Sequence, residues 1–488
     1  MGPEIKRVFG AEIKITTIKV GSYDDLIEKM NLWASTGMAD WPNIYWNGSD
    51  NQTKDLYNRL GREGKLIDWM PYLDAMPEVK EKLRVLFPGV ITEDGKLYGL
   101  PAQYSDKAVI LSSGGVYLRA DWIKELELAW PKTIQELESV LREFKAKIPP
   151  VDGKEIIPIM LFGETFKNLQ FYFYPKDMRS IYDSSEWFWD ESKKEAYNID
   201  IEKPEYLINA LKWHNMLYKD GLIAADCFTM KQGQVDEIMS QGRGGGAFGV
   251  DWEMGPYVEG MAAVKDGAML ALTPPLYDAS MNSAPATSVT AATPYTLWSM
   301  KTDCPEDLVY SFLKYVKWSA SEEGTRIINY GVENVHWTMD ENGKIHDTPE
   351  CAERLKGDWS LRVHEGIEWY GVHFDYEAWA RMRSDLDLES PTLQPFMKES
   401  YKNQGFMKVQ GYTKNPNYYI TAGPVEMKNS VGASDRGKEL WVKCVTGDAG
   451  KIEEYVEEWR QTEIALGYED TKAERTAACS KLDMSFLD

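Results

Sequence analysis

Histidine and cysteine are scarce, five of each in 488 residues, so imidazole and thiol chemistry have few candidates. Cys227, Cys304, Cys351, Cys444 and Cys479 are widely spaced and form no CxxC pair. An odd count without a pattern argues against a disulfide framework and against a structural zinc site. Long hydrophobic runs are missing too. The apolar stretch Ile156–Phe162 falls well short of the roughly 18 residues that a membrane-spanning helix needs. Positive charge is in deficit, with 55 Lys and Arg against 77 Asp and Glu, a net charge of -22. Such a field repels phosphate backbones and anionic lipid, which excludes nucleic acid and membrane surfaces as expected partners. No GxSxG, P-loop or SxxK motif occurs.

Aromatic rings are plentiful instead: 18 Trp, 27 Tyr and 15 Phe. Trp122, Trp213, Trp318, Trp441 and Trp459 fall within helical patterns and read as core or core cover. Trp46, Tyr104 and Trp252 sit where strands give way to loops. Trp359, Trp369, Tyr370 and Trp379 lie in a region of unclear periodicity. Apolar walls with a few placed polar groups are the general design of small-ligand sites. A neutral sugar offers flat C–H faces to such rings, and hydroxyls to Asn, Gln and Asp.

The remaining motifs weigh less. Gly244–Gly249 fits GxGxxG, but a dinucleotide site needs a strand before the glycines and a helix after them. Here a helical pattern precedes them and the strand-like Ala247–Trp252 follows, so a turn allowing close backbone approach is the better reading. His214 shares a helical face with Leu207, Ala210, Leu211 and Leu217, as a core histidine does. His364-Glu365 does not complete HExxH. His373, among Trp369, Tyr370 and Tyr376, is the histidine placed best for a functional surface. A paired-carboxylate site stays open, because sequence shows no distances.

At roughly 100–200 residues per domain the length suggests two to four folding units. Strand-like Glu12–Val20 precedes a helix with Leu26, Met30 and Trp33 on one face, then the short strand Asn43–Trp46. Helices are predicted over Thr53–Gly64, Trp122–Leu128, from Thr133 as a capping box, and over Pro204–Lys219, Gln232–Ser240, Glu306–Lys317 and Ser321–Tyr330. Ile156–Phe162 reads as a buried strand and Gly163–Tyr197 as a long irregular, aromatic-rich stretch. Strands alternating with helices indicate an α/β fold with a largely parallel sheet.

Asp94-Gly95-Lys96-Leu97-Tyr98-Gly99-Leu100-Pro101 is followed by Leu118-Arg119-Ala120-Asp121-Trp122 and by Pro131-Lys132-Thr133. This resembles the signature "DGKxYGLP … RxDWLxKLGLxxPxT" of family-1 extracellular solute-binding proteins of ABC importers, in the LplA-like lipoprotein group. Alginate-binding proteins are related and maltose-binding protein is more distant. Gly221-Leu222-Ile223, Leu272–Pro275, Asn329–Glu333 and Trp459-Arg460 with Leu466-Gly467-Tyr468 match in the expected order. The family's S-G-D-x-P-D reads Gly37-Met38-Ala39-Asp40-Trp41-Pro42-Asn43 here, so contacts are not carried over at that point. Pro149–Glu155 is too short and too poor in oxygen ligands for the calcium loop of the alginate binders, so no metal site is expected there.

The resemblance implies an α/β, two-lobe periplasmic-binding-protein-like fold (type II), with the ligand cleft between lobes and a hinge of three crossovers. The crossovers are expected near Ser112–Tyr117, Ser288–Tyr295 and Val332–Trp337. Residues 1–115 plus 292–335 would form one lobe, and 116–291 plus 336–488 the other. Ligand-binding residues are expected at Trp46, Asn47, Gln103 and Tyr104 in one lobe and at Asp251 and Trp252 in the other. Trp369, Tyr370 and His373, beside an Asp375-Tyr376-Glu377 that resembles the alginate binders, complete the set. The implied function is capture of a neutral oligosaccharide, without catalysis or cofactor, and delivery to ABC permease subunits. The implied protein is a monomeric cell-surface lipoprotein whose leader and lipidated cysteine lie outside this sequence. Alternatives are the same fold holding a peptide or another small solute, and, remotely, a glycoside hydrolase.

Overall fold

Strand alternation places Tyr45 and Trp46 on opposite faces of one short sheet, and both faces are covered by aromatic side chains. The computed structural model describes residues 6–7, 23–48, 51–77, 80, 90–92, 94–102, 115–163, 165–174, 186–190, 192–249, 251–281, 296–319, 321–341, 345–355, 361, 365, 367, 393–404 and 423–481. Its strands are β1 (Ile44–Gly48), β2 (Leu100–Ala102), β3 (Gly115–Arg119), β4 (Trp187–Asp190), β5 (Glu195–Asn198), β6 (Gly246–Gly249), β7 (Leu270–Leu272), β8 (Thr296–Met300), β9 (Trp337–Met339) and β10 (Ile345–Asp347).

The first sheet has the order β1-β8-β2. Tyr45 faces Trp33 and Trp41, with ring centroids 6.1 and 5.2 Å away in edge-on geometry. Around this sheet lies a core that draws Met30, Trp41, Leu60, Trp69 and Leu100 together with Leu297, Val316 and Ile328. The Asp94-Gly95-Lys96 motif is a turn, as expected. Lys96 N–H donates to Thr92 Oγ1 at 2.9 Å, and Gly95 takes φ +78°, a conformation glycine reaches without strain. The turn delivers Tyr98 onto Gly61 so closely that a Cβ at Gly61 would lie 2.1 Å from the ring.

The second sheet has the order β6-β3-β7. Every residue of β3 is buried, because its two faces serve two cores. Val116 and Leu118 point into a cluster with Leu141, Phe144, Leu211 and Val445. Tyr117 points into another with Met254, Val258, Leu270 and Phe396. Helix Ile134–Lys147 starts as its sequence requires: Thr133 Oγ1 accepts Glu136 N–H at 3.1 Å. Glu136 reaches back one residue further than a capping box does, accepting Lys132 N–H at 2.7 Å. His214 is fully buried, edge-on to Trp213 and Trp441, and its Nδ1 lies 2.7 Å from the Ala210 carbonyl.

Four expectations are corrected. The sheets are not largely parallel: among the described residues every named ladder is antiparallel, and parallel pairing is confined to isolated bridges such as Met160 with Ala247. The two three-stranded sheets pair segments distant in sequence, so helix–strand alternation does not set strand direction. Ile156–Phe162 is buried but joins no ladder, since Pro158 has no N–H to give. Gly163–Tyr197 is not irregular throughout, as it contains helix Thr165–Gln170 and the start of the β4–β5 hairpin. The strand-like Ala247–Trp252 ends at Gly249, and helix Asp251–Val264 takes Trp252 into its first turn. An acidic residue at a helix start suits the helix dipole better than a strand interior.

Candidate functional site

Trp46 is partly exposed at the centre of β1, opposite Trp298 of β8. The two rings are 6.2 Å apart at 48°. Trp298 packs on Phe312 at 5.2 Å, and Phe312 lies 5.7 Å from the fully buried Trp69. A line of rings thus runs from the centre of β1 into the lobe's core. Asn47 pairs with Leu297 and Gly48 with Thr296, so the expected Trp46-Asn47 step is held by a complete ladder.

In the second sheet the glycine cluster does what close approach requires. Added Cβ atoms would lie 2.4 Å from the Pro158 carbonyl oxygen at Gly245 and 2.4 Å from the Tyr117 oxygen at Gly246. These glycines sit within or beside a strand, so no phosphate cradle forms. The strand ends at Gly249, opposite Gly115, and helix Asp251–Val264 begins there. Asp251 and Trp252 therefore stand at the end of β6, where strand gives way to the next element. The free edge of β7 is closed by helix Leu393–Gln404: Ser400 Oγ accepts Leu272 N–H at 3.0 Å, and Asn403 Nδ2 donates to Leu272 O at 2.9 Å.

Gln103, Tyr104, Trp369, Tyr370 and His373 lie outside the described residues. The structure brings Trp46 and Asn47 together on β1 and Asp251 and Trp252 together at one helix start. Trp298 carries no local motif that marks it as a site residue. Its signal is visible only once register pairs it with Trp46.

The signature motif Arg119-Ala120-Asp121-Trp122 is structural. The Arg119 guanidinium donates to both Asp121 carboxylate oxygens at 2.7 and 2.6 Å and to the Gly242 carbonyl at 2.8 Å. The strongest pKa perturbations also fall at buried packing positions. Burial pushes the Asp200 carboxyl up to about 7, with the Glu186 charge adding to it, while Gln170 and Tyr174 donate to it at 2.7 and 2.9 Å. Burial holds the His214 imidazole down at about 4. Among the described residues no group of three His, Cys, Asp or Glu side chains is placed to hold a metal ion. No described helix is long and apolar enough to cross a membrane.

No family model matches the chain. The fold, however, is shared over nearly its whole length with solved sugar-binding proteins. A fructo-nystose complex of an EF-hand mutant of the S. pneumoniae ABC-transporter substrate-binding protein FusA aligns at TM-score 0.66 and 16% identity, covering 98% of this chain and 94% of that one. The alginate-binding protein AlgQ2 without calcium ion aligns at TM-score 0.64 and 17% identity, with the same coverage. The chain has the two-lobe solute-binding-protein fold. In sequence it is similar to the polygalacturonan/rhamnogalacturonan-binding protein YtcQ of Bacillus subtilis (strain 168), 28% identical over 242 residues, 50% of this chain and 45% of that protein. Lipoprotein LipO of the same organism is 24% identical over 251 residues, 49% of this chain and 44% of that protein. The matched stretch thus spans less than half the length of either curated relative.

Proposed function

We propose that this protein is the substrate-binding component of an ABC transporter, capturing an oligosaccharide between its lobes and passing it to permease subunits. The observation that carries the reading is the similarity of half the chain to YtcQ, a protein named for binding polygalacturonan/rhamnogalacturonan. The fold shared with FusA and AlgQ2 supports it. We divide the lobes at residues 1–115 plus 292–335 and 116–291 plus 336–488. Two separate hydrophobic cores, one around Trp69 and one around Phe144, support that division. Hinge closure follows from ligand contacts made with both lobes at once. On this reading Trp46, Asn47, Gln103 and Tyr104 act from one lobe, and Asp251, Trp252, Trp369, Tyr370 and His373 from the other. The protein acts as a monomer at the cell surface, as a lipoprotein, and without catalysis.

The net charge of -22 favours a neutral sugar over a uronate, because each carboxylate of a uronate would enter a field of its own sign. The relatives' names include polyuronates, so the test carries both kinds. Thermal unfolding is measured with neutral oligosaccharides (mannan, xylan, glucan and N-glycan fragments), oligogalacturonates and short peptides. A ligand at about a hundred times its Kd adds roughly 2.7 kcal/mol to the folded state and raises Tm. A rise with a neutral oligosaccharide alone is the expected result. A rise with oligogalacturonate overturns the neutral assignment, and a rise with peptides alone overturns the sugar. New reducing ends after overnight incubation, abolished by mutating one carboxylate, would make the protein a glycoside hydrolase instead.

A further inference from the structure

We propose that Trp298 is the positioning residue of the sugar-binding platform, fixing the plane of Trp46 without touching the ligand. This inference rests on the oligosaccharide reading above. Trp46, Trp298 and Leu100 are consecutive in register across β1, β8 and β2, so their side chains share one face of the sheet. Leu100 is fully buried, while Trp298 and Trp46 are both partly buried, and Trp298 packs against the core that holds Leu100. Trp298 therefore stands between Trp46 and the core residue Leu100.

A stacking platform needs a ring held in one plane, since an edge-exposed tryptophan free to turn about its side-chain torsions loses that freedom on binding. Trp298 supplies the restraint from one side, at 6.2 Å and a 48° tilt. Its own position is fixed twice over. Phe312 packs on it at 5.2 Å, backed by the buried Trp69. Its strand neighbours Leu297 and Ser299 are almost completely buried, so β8 has no room to shift. The Trp298 indole N–H is itself buried and has no hydrogen-bond acceptor among the described residues. A buried donor without a partner costs stability that a phenyl ring in the same place would not. The ring therefore serves by its shape and not by donating to a ligand hydroxyl.

The test is a double-mutant cycle on oligosaccharide affinity, using Trp46→Ala, Trp298→Leu, the double variant and Trp298→Phe, with Tm recorded for each. Trp298→Leu is expected to weaken binding on the order of tenfold, the size of an aromatic pair contribution. In the Trp46→Ala background the same substitution should change affinity by less than twofold. Trp298→Phe, which keeps a ring and removes the orphaned N–H, should restore most of the affinity without loss of Tm. Equal weakening in both backgrounds would make Trp298 a general structural residue and overturn the proposal. A wild-type protein that binds sugar while Trp46→Ala binds equally well overturns the platform but leaves the oligosaccharide reading standing. A wild-type protein that binds no sugar removes both. If Trp298→Leu fails to fold, the Trp298→Phe pair in the two Trp46 backgrounds carries the same cycle. A small loss with Trp46 present that vanishes without it supports the proposal, and an identical effect in both overturns it.

Discussion

The Arg119 guanidinium lies over the indole of Trp122, 4.4 Å from the ring centroid, while it grips both oxygens of Asp121. Its side chain is only 2% exposed, and Asp121 is 16% exposed. The pair ties the end of β3 to the loop at Gly242, so this signature motif serves assembly of the second sheet. Arg119→Met should therefore lower stability by about 3 kcal/mol, because it strands a partly buried carboxylate. Arg119→Lys should recover little, since an ammonium cannot grip two oxygens in a plane and stack at once. Denaturant midpoints of both variants check this, and oligosaccharide affinity measured on the folded fraction should stay unchanged.

Gly245 and Gly233 make opposite predictions for the same substitution. A Cβ at Gly245 would lie 2.4 Å from the Pro158 oxygen and 2.8 Å from Trp122 Cζ3, and neither the backbone nor the packed indole can yield. Gly245→Ala should cost about 1–3 kcal/mol as overpacking. Gly233 lies in helix Gln232–Ser240 with nothing within 4 Å of its Cβ position. There the substitution should stabilise by about 0.5 kcal/mol through reduced unfolded-state entropy. Thermal melts of the two variants side by side decide between a tight strand and a flexible turn at the glycine cluster.

Much of this arrangement was legible where the cause is local. The Thr133 cap, the core histidine His214 and helix Gln232–Ser240 follow from spacing within a few residues, and the structure has them. Trp46 was expected at a strand end, but the ladder continues through Asn47 and Gly48 and makes it the central residue of β1. Antiparallel pairing was not, because β1 meets β8 and β3 meets β6 only after long intervening segments fold. The role of Trp298 was hidden for the same reason: a cross-strand partner is defined by register, which no local pattern prints. Ile156–Phe162 misled by its hydrophobicity, since a buried segment that makes only isolated bridges looks the same in sequence as a strand.

Two buried groups pull stability in opposite directions as pH changes. Asp200, held up at about 7 by burial first and by Glu186 second, favours the folded state below its ordinary carboxyl pKa. That contribution is lost progressively as pH rises through about 7. His214, held at about 4 by burial, does the reverse. Its contribution is complete above the unfolded value of about 6.5 and is lost as pH falls below it. Asp200→Asn keeps an acceptor for Gln170 and Tyr174 and removes only the titration. The variant should gain on wild type as pH rises from 5 to 8. A stability difference that stays constant across this range would place the charge elsewhere.

His336 adds a third titration at the segment proposed as the last crossing between lobes. Val332 N–H donates to its Nδ1 at 2.9 Å, which leaves the proton of the neutral ring on Nε2, 3.4 Å from Glu365 Oε2. Glu365 in turn accepts from Arg354 at 2.5 and 2.8 Å. Burial first, and then the positive charge of Arg354, hold the imidazole below its ordinary pKa, and Glu365 works against them. Protonation would put a second donor on Nδ1, facing the Val332 N–H, so the hydrogen bond that closes the turn after Gly331 would open. The folded-state pKa is depressed, so this contribution is full above about pH 6.5 and falls away as the pH drops below it. His336→Gln retains a side-chain acceptor for Val332 N–H but does not titrate. Wild type should therefore lose Tm relative to the variant between pH 6.5 and 5, while the two run parallel above pH 7. Parallel melting curves across the whole range would show that the imidazole stays neutral or that the turn does not depend on it.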